Sequence, residues 1–212
     1  MAEDDPAVAT RAQRRKAQTR RSLIRAAQQL LAEGRTSASV LDITTLADVG
    51  NGSFYNHFAT KDELFEAAVV AIVDDHGELL DGFTDGIADP AEAFTQSFRL
   101  TGRLHRRFPE LSKVVVNYGL SMLTASDAGL LPRARRDIEA AVAGGRFVAP
   151  DVDLALTVVS GATLSLALLL LEQPERDDTV ATDAVAAHVL RALGVREADV
   201  RTLIALPLPS WD

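Results

Sequence analysis

Cysteine is missing from all 212 residues, which excludes disulfide frameworks, thiolate zinc sites and thiol nucleophiles. Strand signals are missing too: no run of convincing length alternates apolar with polar residues, so a sheet has nothing to build on. No segment recurs at the roughly 20–50-residue period of solenoids. Neither the glycine-rich phosphate loop nor the nucleophile elbow of hydrolases is present. The four histidines (His57, His76, His105, His188) are scattered, and none completes the Glu-x-x-His pair of di-iron helical bundles. The opening residues are acidic and polar with no apolar stretch behind them, so no secretory signal is expected, and a cytoplasmic location suits the lack of cysteine.

Against these absences, 47% of the chain is hydrophobic, enough for a sizeable core. The net charge of −8 is unevenly spread. Residues 11–62 hold nine basic side chains (Arg11, Arg14, Arg15, Lys16, Arg20, Arg21, Arg25, Arg35, Lys61) against four acidic ones (Glu33, Asp42, Asp48, Asp62), a net of +5. The remainder carries 13 basic and 26 acidic groups, a net of −13. A basic head on an acidic body is the footprint of a phosphate-binding module joined to a non-binding domain.

Leu41–Phe58, LDITTLADVGNGSFYNHF, is the most informative stretch. Ile43, Leu46 and Ala47 follow an i, i+3, i+4 stripe, and Phe54 and Phe58 an i, i+4 pair. Helices this short do not hold themselves in water, so these stripes must pack on each other and on a longer helix. Leu23, Ala26, Ala27, Leu30 and Leu31 form the buried face of such a helix, stopped by Gly34. The packing turns Asn51, Gly52, Ser53, Tyr55, Asn56 and His57 outward, on an element of the size that fits a major groove.

The run from Ile43 to Leu64, ITTLADVGNGSFYNHFATKDEL, resembles the DNA-binding signature of the tetracycline-repressor (TetR) family. The resemblance rests on Ile43, Ala47 and Val49, on Gly52-Ser53-Phe54-Tyr55 with His57-Phe58, and on Lys61 with Leu64. Asp48 stands where the family turn has glycine, and Gly50 where it has a Ser or Thr cap. Asp tolerates the left-handed conformation better than most residues, and glycine is an acceptable cap without a side-chain acceptor.

The resemblance implies an all-α protein: an N-terminal three-helix helix-turn-helix DNA-binding domain, then a larger helical ligand-binding and dimerisation domain. Residues 1–19 are expected to be a flexible basic arm, 20–64 the DNA-binding domain and 65–212 the effector-binding and dimerisation domain. It further implies a repressor, released from a palindromic operator by a small-molecule effector. Asn51, Ser53 and Asn56 are the candidates for base edges, since Asn can pair bidentately with adenine. Ser39, Thr45, Tyr55, His57 and Lys61 are the candidates for phosphate, with Gly52 allowing close backbone approach. Phe54 and Phe58 are core.

The body reads as long helices with clear punctuation. Ser39 and Asp42 open one, Thr60-Lys-Asp-Glu63 matches the capping-box pattern, and Asp89-Pro90-Ala91-Glu92 is a start signal. Phe94, Phe98, Thr101 and His105 share a stripe; with Asn117, Tyr118 and Met122 they are the candidate lining of an apolar effector cavity. Leu154–Leu171 holds 18 residues without charge, between acidic flanks with no Lys/Arg cluster, and is expected to be buried on all sides rather than in a membrane. The family pairs two late helices with their symmetry mates, so Ser160, Gly161, Leu164, Ser165, Val185, Val189 and Leu193 are the expected homodimer contacts. No catalytic residue, cofactor or metal is expected. Two alternatives stay open: a helical protein-interaction module, and a metal-binding enzyme built on Asp74, Asp75, His76 and Glu78.

Overall fold

The computed structural model describes residues 11–109, 112–113, 115–116 and 130–209. Among these the chain forms nine helices: α1 (Arg11–Ala32), α2 (Val40–Leu46), α3 (Asn51–Phe54), α4 (Lys61–Thr84), α5 (Pro90–Arg107), α6 (Leu130–Ala143), α7 (Val152–Glu172), α8 (Asp178–Ala192) and α9 (Glu197–Ala205). They divide into two compact units, Met1–Val69 and Val70–Asp212.

In the first unit, Leu23, Ala26, Ala27, Leu30 and Leu31 are the buried face of α1. Ile43, Phe54, Phe58, Leu64, Phe65, Ala68 and Val69 are buried as well. Each such large side chain contributes about 1.5–3 kcal/mol by leaving water. The basic stretch expected to be a flexible arm is helical from Arg11 onward, because arginine, alanine and glutamine are strong helix formers and the charges all point to solvent.

The turns after α1 and α2 both close with the Schellman bond pair. After α1, Gly34 (φ 69°) donates to Leu31 O and Arg35 to Leu30 O, at 3.0 and 2.8 Å. After α2, the same two bonds run from Asp48 N to Thr45 O (3.2 Å) and from Val49 N to Thr44 O (3.0 Å). Asp48 therefore occupies the left-handed position (φ 53°), the one non-glycine to do so among the described residues. The helix-turn-helix bend survives the loss of its glycine, with strain held at Asp48.

In the second unit α5 is central, touching α6, α7, α8 and α9. Asp89 caps it through the Ala91 N–H at 3.0 Å, ahead of Pro90. Phe94 and Phe98 pack with Phe147, Ile138, Leu156, Val159, Leu190 and Leu193 in one apolar core. Gly102 lets α8 approach: a β-carbon there would lie 2.2 Å from Thr182 Cγ2. The arginines of α5 tie the end of the bundle together. Arg99 makes paired bonds to Asp183 (2.9 and 3.1 Å) and one to Leu206 O (2.8 Å). Arg103 reaches the carbonyls of Asp178 and Thr179 as well as Asp183, and Arg106 those of Leu170, Gln173 and Arg176.

The expectation that Leu154–Leu171 is buried on all sides is corrected for one face of α7. Ala155, Leu156, Val159, Leu166, Ala167 and Leu170 face the core. Leu154 (65% exposed), Val158 (48%) and Leu168 (43%) lie open on the other side. The helix is long and apolar enough to cross a membrane by length and composition, with 33% of its most apolar window buried in the chain. The period of its apolar residues carried no sign of two faces, because both are apolar.

Candidate nucleic-acid interface and effector site

The outward surface of the first unit is assembled from the cores of α2 and α3. Ser39 caps α2 in a closed box: its Oγ accepts from Asp42 N (3.1 Å) and donates to Asp42 Oδ2 (2.7 Å), while Ser39 N donates to the same carboxylate (2.9 Å). The hydroxyl hydrogen is thus committed, and a phosphate at Ser39 would have to displace Asp42. Thr45 is exposed one turn on.

Gly50 caps α3 from an extended conformation without a side-chain bond. The helix is regular only over Asn51–Phe54 and continues as turns to His57, shorter than the two turns the sequence suggested. Phe54 and Phe58 hold it down, 6.1 Å apart between ring centres. Asn51, Gly52, Tyr55 and Asn56 are exposed, and Ser53 and His57 are half-buried. Tyr55 is 64% exposed and stands edge-on to Phe54. The sequence-predicted base- and phosphate-contact residues of α3 and its following turn therefore share one surface.

Two residues absent from that prediction join them. The Arg20 guanidinium of α1 lies 5.0 Å over the Phe58 ring, a cation–π contact that places a positive charge beside the recognition segment. Burial, with Lys16 and Arg20 nearby, holds the His57 pKa below the usual histidine range. The signal for Lys16 and Arg20 was the basic run itself; what it lacked was the helical register. Lys61, half-buried at the start of α4, donates from Nζ to Ala38 O at 2.9 Å.

In the second unit, Phe94 and Phe98 are buried in the apolar core. Phe94 stands edge-on to Phe147 at 5.3 Å and stacks on Phe98 at 6.4 Å. Thr101 and His105 are buried one turn apart. Thr101 Oγ1 donates to Ser97 O (2.9 Å) and lies 3.4 Å from His76 Nε2. His105 Nδ1 lies 3.1 Å from Ser112 Oγ. Burial drives both imidazoles down to a pKa of about 4, for His76 with help from the charge of His105 and Arg133. Asn117, Tyr118 and Met122 lie outside the described residues.

The acidic cluster around His76 is pulled apart by these contacts. Asp74 takes Arg133 at 2.7 Å, His76 turns toward Thr101, and among the described residues no three acidic or histidine side chains come together to hold a metal ion. Arg133 also reaches Asp81 (2.8 Å), which takes Arg136 at 2.8 Å. Burial alone would raise the Asp81 pKa; the hydrogen bonds from the two arginines outweigh it and hold the carboxylate below its usual range. Burial raises Asp137 despite its bond to Arg136. A groove of about 600 Å³ opens here, lined by Asp81, Thr84, Asp85, Ala93, Arg136 and Asp137 among others.

The expected dimer contacts divide. Gly161 and Ser165 are exposed on the open face of α7, and Leu164 is half-buried. Ser160 is half-buried, its hydroxyl returned to Leu156 O at 2.6 Å. On α8, Val185 is half-buried, but Val189 and Leu193 sit inside the chain's own core and present nothing outward. The face of α8 that is open carries Val180, Ala184, His188 and Arg191. Both stripes of α8 are rich in alanine and valine, so periodicity could not tell inside from outside.

Residues 23–68 match the family described as "Bacterial regulatory proteins, tetR family", and residues 89–205 match "Tetracyclin repressor-like, C-terminal domain". The chain is similar to RolR in complex with resorcinol, at 30% identity over 94% of this chain and 99% of that one, with a TM-score of 0.71. RolR without ligand gives 29% identity over 89% and 97% of the two chains, with a TM-score of 0.69. FadR of Bacillus subtilis in complex with stearoyl-CoA shares the fold at 16% identity, over 80% of this chain and 97% of that one, with a TM-score of 0.63. No curated protein matches the chain.

Proposed function

The chain belongs to the TetR family of bacterial transcriptional regulators, and from that premise we propose how this member reads DNA and is switched. Residues 20–64 form the operator-binding domain, and 65–212 the domain that binds effector and dimerises. Asn51, Ser53 and Asn56 read base edges, while Thr45, Tyr55, His57 and Lys61, joined by Lys16 and Arg20, bind phosphates and fix register. The observation that carries this reading is the single surface on which hydrogen-bonding groups stand clear of Phe54 and Phe58, both fully buried.

Dimerisation supplies the second head. The open apolar face of α7 (Leu154, Val158, Gly161, Ser165, Leu168) with the outward face of α8 is the pairing surface. Two heads then meet successive major grooves roughly 34–36 Å apart on a palindrome. The effector acts by preferring the state in which that spacing is wrong, so the protein is a repressor released by its ligand. The polar row of half-buried His76 with buried Thr101 and His105 supports an effector site inside the second unit, and the similarity to RolR, whose structure holds resorcinol, supports a small effector.

Footprinting across the DNA flanking the gene tests the whole. A protected palindrome, bound with steep salt dependence and released by a small molecule, is the expected result. Binding no better than to random duplex at every site in that DNA rejects it.

A further inference from the structure

We infer that His105 presents a bare Nε2 as the hydrogen-bond acceptor for a neutral donor group of the effector, such as the hydroxyl of an alcohol or a phenol. The inference rests on the effector reading above and names its chemistry.

The proton positions follow from the hydrogen bonds. Ser112 Oγ has one hydrogen, and two backbone carbonyls stand ready for it, His105 O at 3.1 Å and Phe108 O at 3.2 Å. With that hydrogen given to a carbonyl, the oxygen accepts from His105 Nδ1, at 3.1 Å. The ring proton therefore sits on Nδ1 and leaves a lone pair on Nε2. Burial keeps the ring neutral at physiological pH.

Nε2 is without a partner, although His105 is only 7% exposed. Buried acceptors are nearly always satisfied, so an orphan asks for an explanation. Thr182 Oγ1, the other such atom among the described residues, has one: it is turned onto the bare backbone of Gly102, where a β-carbon would lie 2.6 Å from it. His105 has no such excuse, and neither Thr101 nor His76 has a hydrogen to spare for it. The Thr101 hydrogen goes to Ser97 O, so Thr101 Oγ1 accepts from His76 Nε2 and uses the one proton of that neutral ring. The donor for His105 must come from outside the row. A hydroxyl supplies it. A carboxylate sets lone pairs against a lone pair, and an ether has no hydrogen to give.

The test uses the full chain with ¹⁵N-labelled histidine, and 4-ethylphenol and 4-ethylanisole as probes matched except for the O–H. In the free protein His105 is expected as the Nδ1–H tautomer. The phenol, but not the ether, shifts its Nε2 resonance, and binds about tenfold more tightly by calorimetry. His105→Asn keeps a donor toward Ser112 and places nothing at Nε2, so the preference for phenol disappears; Ser112→Ala frees the tautomer and reduces it. An Nε2–H tautomer in the wild type overturns the inference. So do equal binding of the two probes, no binding of either, and a tenfold preference that persists in His105→Asn. If the asparagine variant does not fold, the wild-type tautomer and Ser112→Ala decide. Equal binding with release of operator DNA leaves the effector reading intact, whereas an operator complex that no small molecule releases removes both.

Discussion

Lys61 Nζ donates to the backbone carbonyl of Ala38 across 23 residues of chain, at 2.9 Å. The lysine that the sequence assigned to a phosphate thus also ties the start of α4 to the loop ahead of α2, and two of its three N–H donors remain for DNA. Lys61→Ala is expected to weaken operator binding uniformly across sequences, reduce the salt slope by about one and lower stability by about 1 kcal/mol. Asn51→Ala is expected to change sequence preference by about 1–3 kcal/mol at one position without that loss of stability. Binding-site selection and urea titration of both variants check the division; identical selection profiles reject it.

Asp48 holds a left-handed backbone at φ 53°. Asp48→Gly removes that strain and should raise the unfolding free energy by roughly 1 kcal/mol, offset in part by the greater freedom of glycine in the unfolded chain. Gly52 differs, because a β-carbon there meets nothing within 4 Å. Gly52→Ala should therefore raise stability by about 0.5–1 kcal/mol while weakening operator binding. Unchanged affinity would mean that the DNA backbone does not approach at this position.

Arg99 is buried with its fork on Asp183. Arg99→Ala leaves that carboxylate to Arg103 alone and opens space in the bundle, so a loss of about 3 kcal/mol is expected in chemical denaturation. A loss below 1 kcal/mol would show that Arg103 compensates fully.

His76 and His105 each titrate near 4 in the folded chain against 6.5 for an ordinary histidine. Between those values the unfolded chain binds more protons than the folded one, so stability rises with pH across that window. It is fully present above about 6.5 and is lost as pH falls toward 4, on the order of 3 kcal/mol for each ring. His76→Gln should flatten the slope of unfolding free energy between pH 6.5 and 4; a variant with the wild-type slope removes His76 from the account.

Gly161 is exposed on α7 with open space around its missing β-carbon. Gly161→Leu fits its own chain but obstructs a helix packed against that face. Light scattering is expected to give about twice the 22.7 kDa chain mass for the wild type and a lower mass for the variant. Equal masses would move the pairing surface elsewhere.

Legibility of this chain in its sequence followed range. Helix ends set by a cap two or three residues away were readable, as at Asp89 and Ser39, because the donor and acceptor sit in the same few letters. The buried stripe of α1 was readable for the same reason. The start of α8, capped by Asp177 through Val180 N, was not. Faces were harder than ends. Phe94 and Phe98 proved to be core, and Val189 and Leu193 proved to point inward, because an apolar stripe names a contact without naming the partner. Arg99 and Asp183, 84 residues apart, left no local trace at all.

Gly77 sits in the middle of α4, between the two aspartates that hold Arg133, and a β-carbon there would fall 2.6 Å from that guanidinium. A glycine inside a helix ordinarily marks a weak turn. Here an arginine from α6 is laid across the gap and bound on both sides, so the turn least able to stand alone is splinted by its neighbour. Re-engineering α6 at position 133 would consequently be felt first as loosening in α4, a helix the substitution never enters.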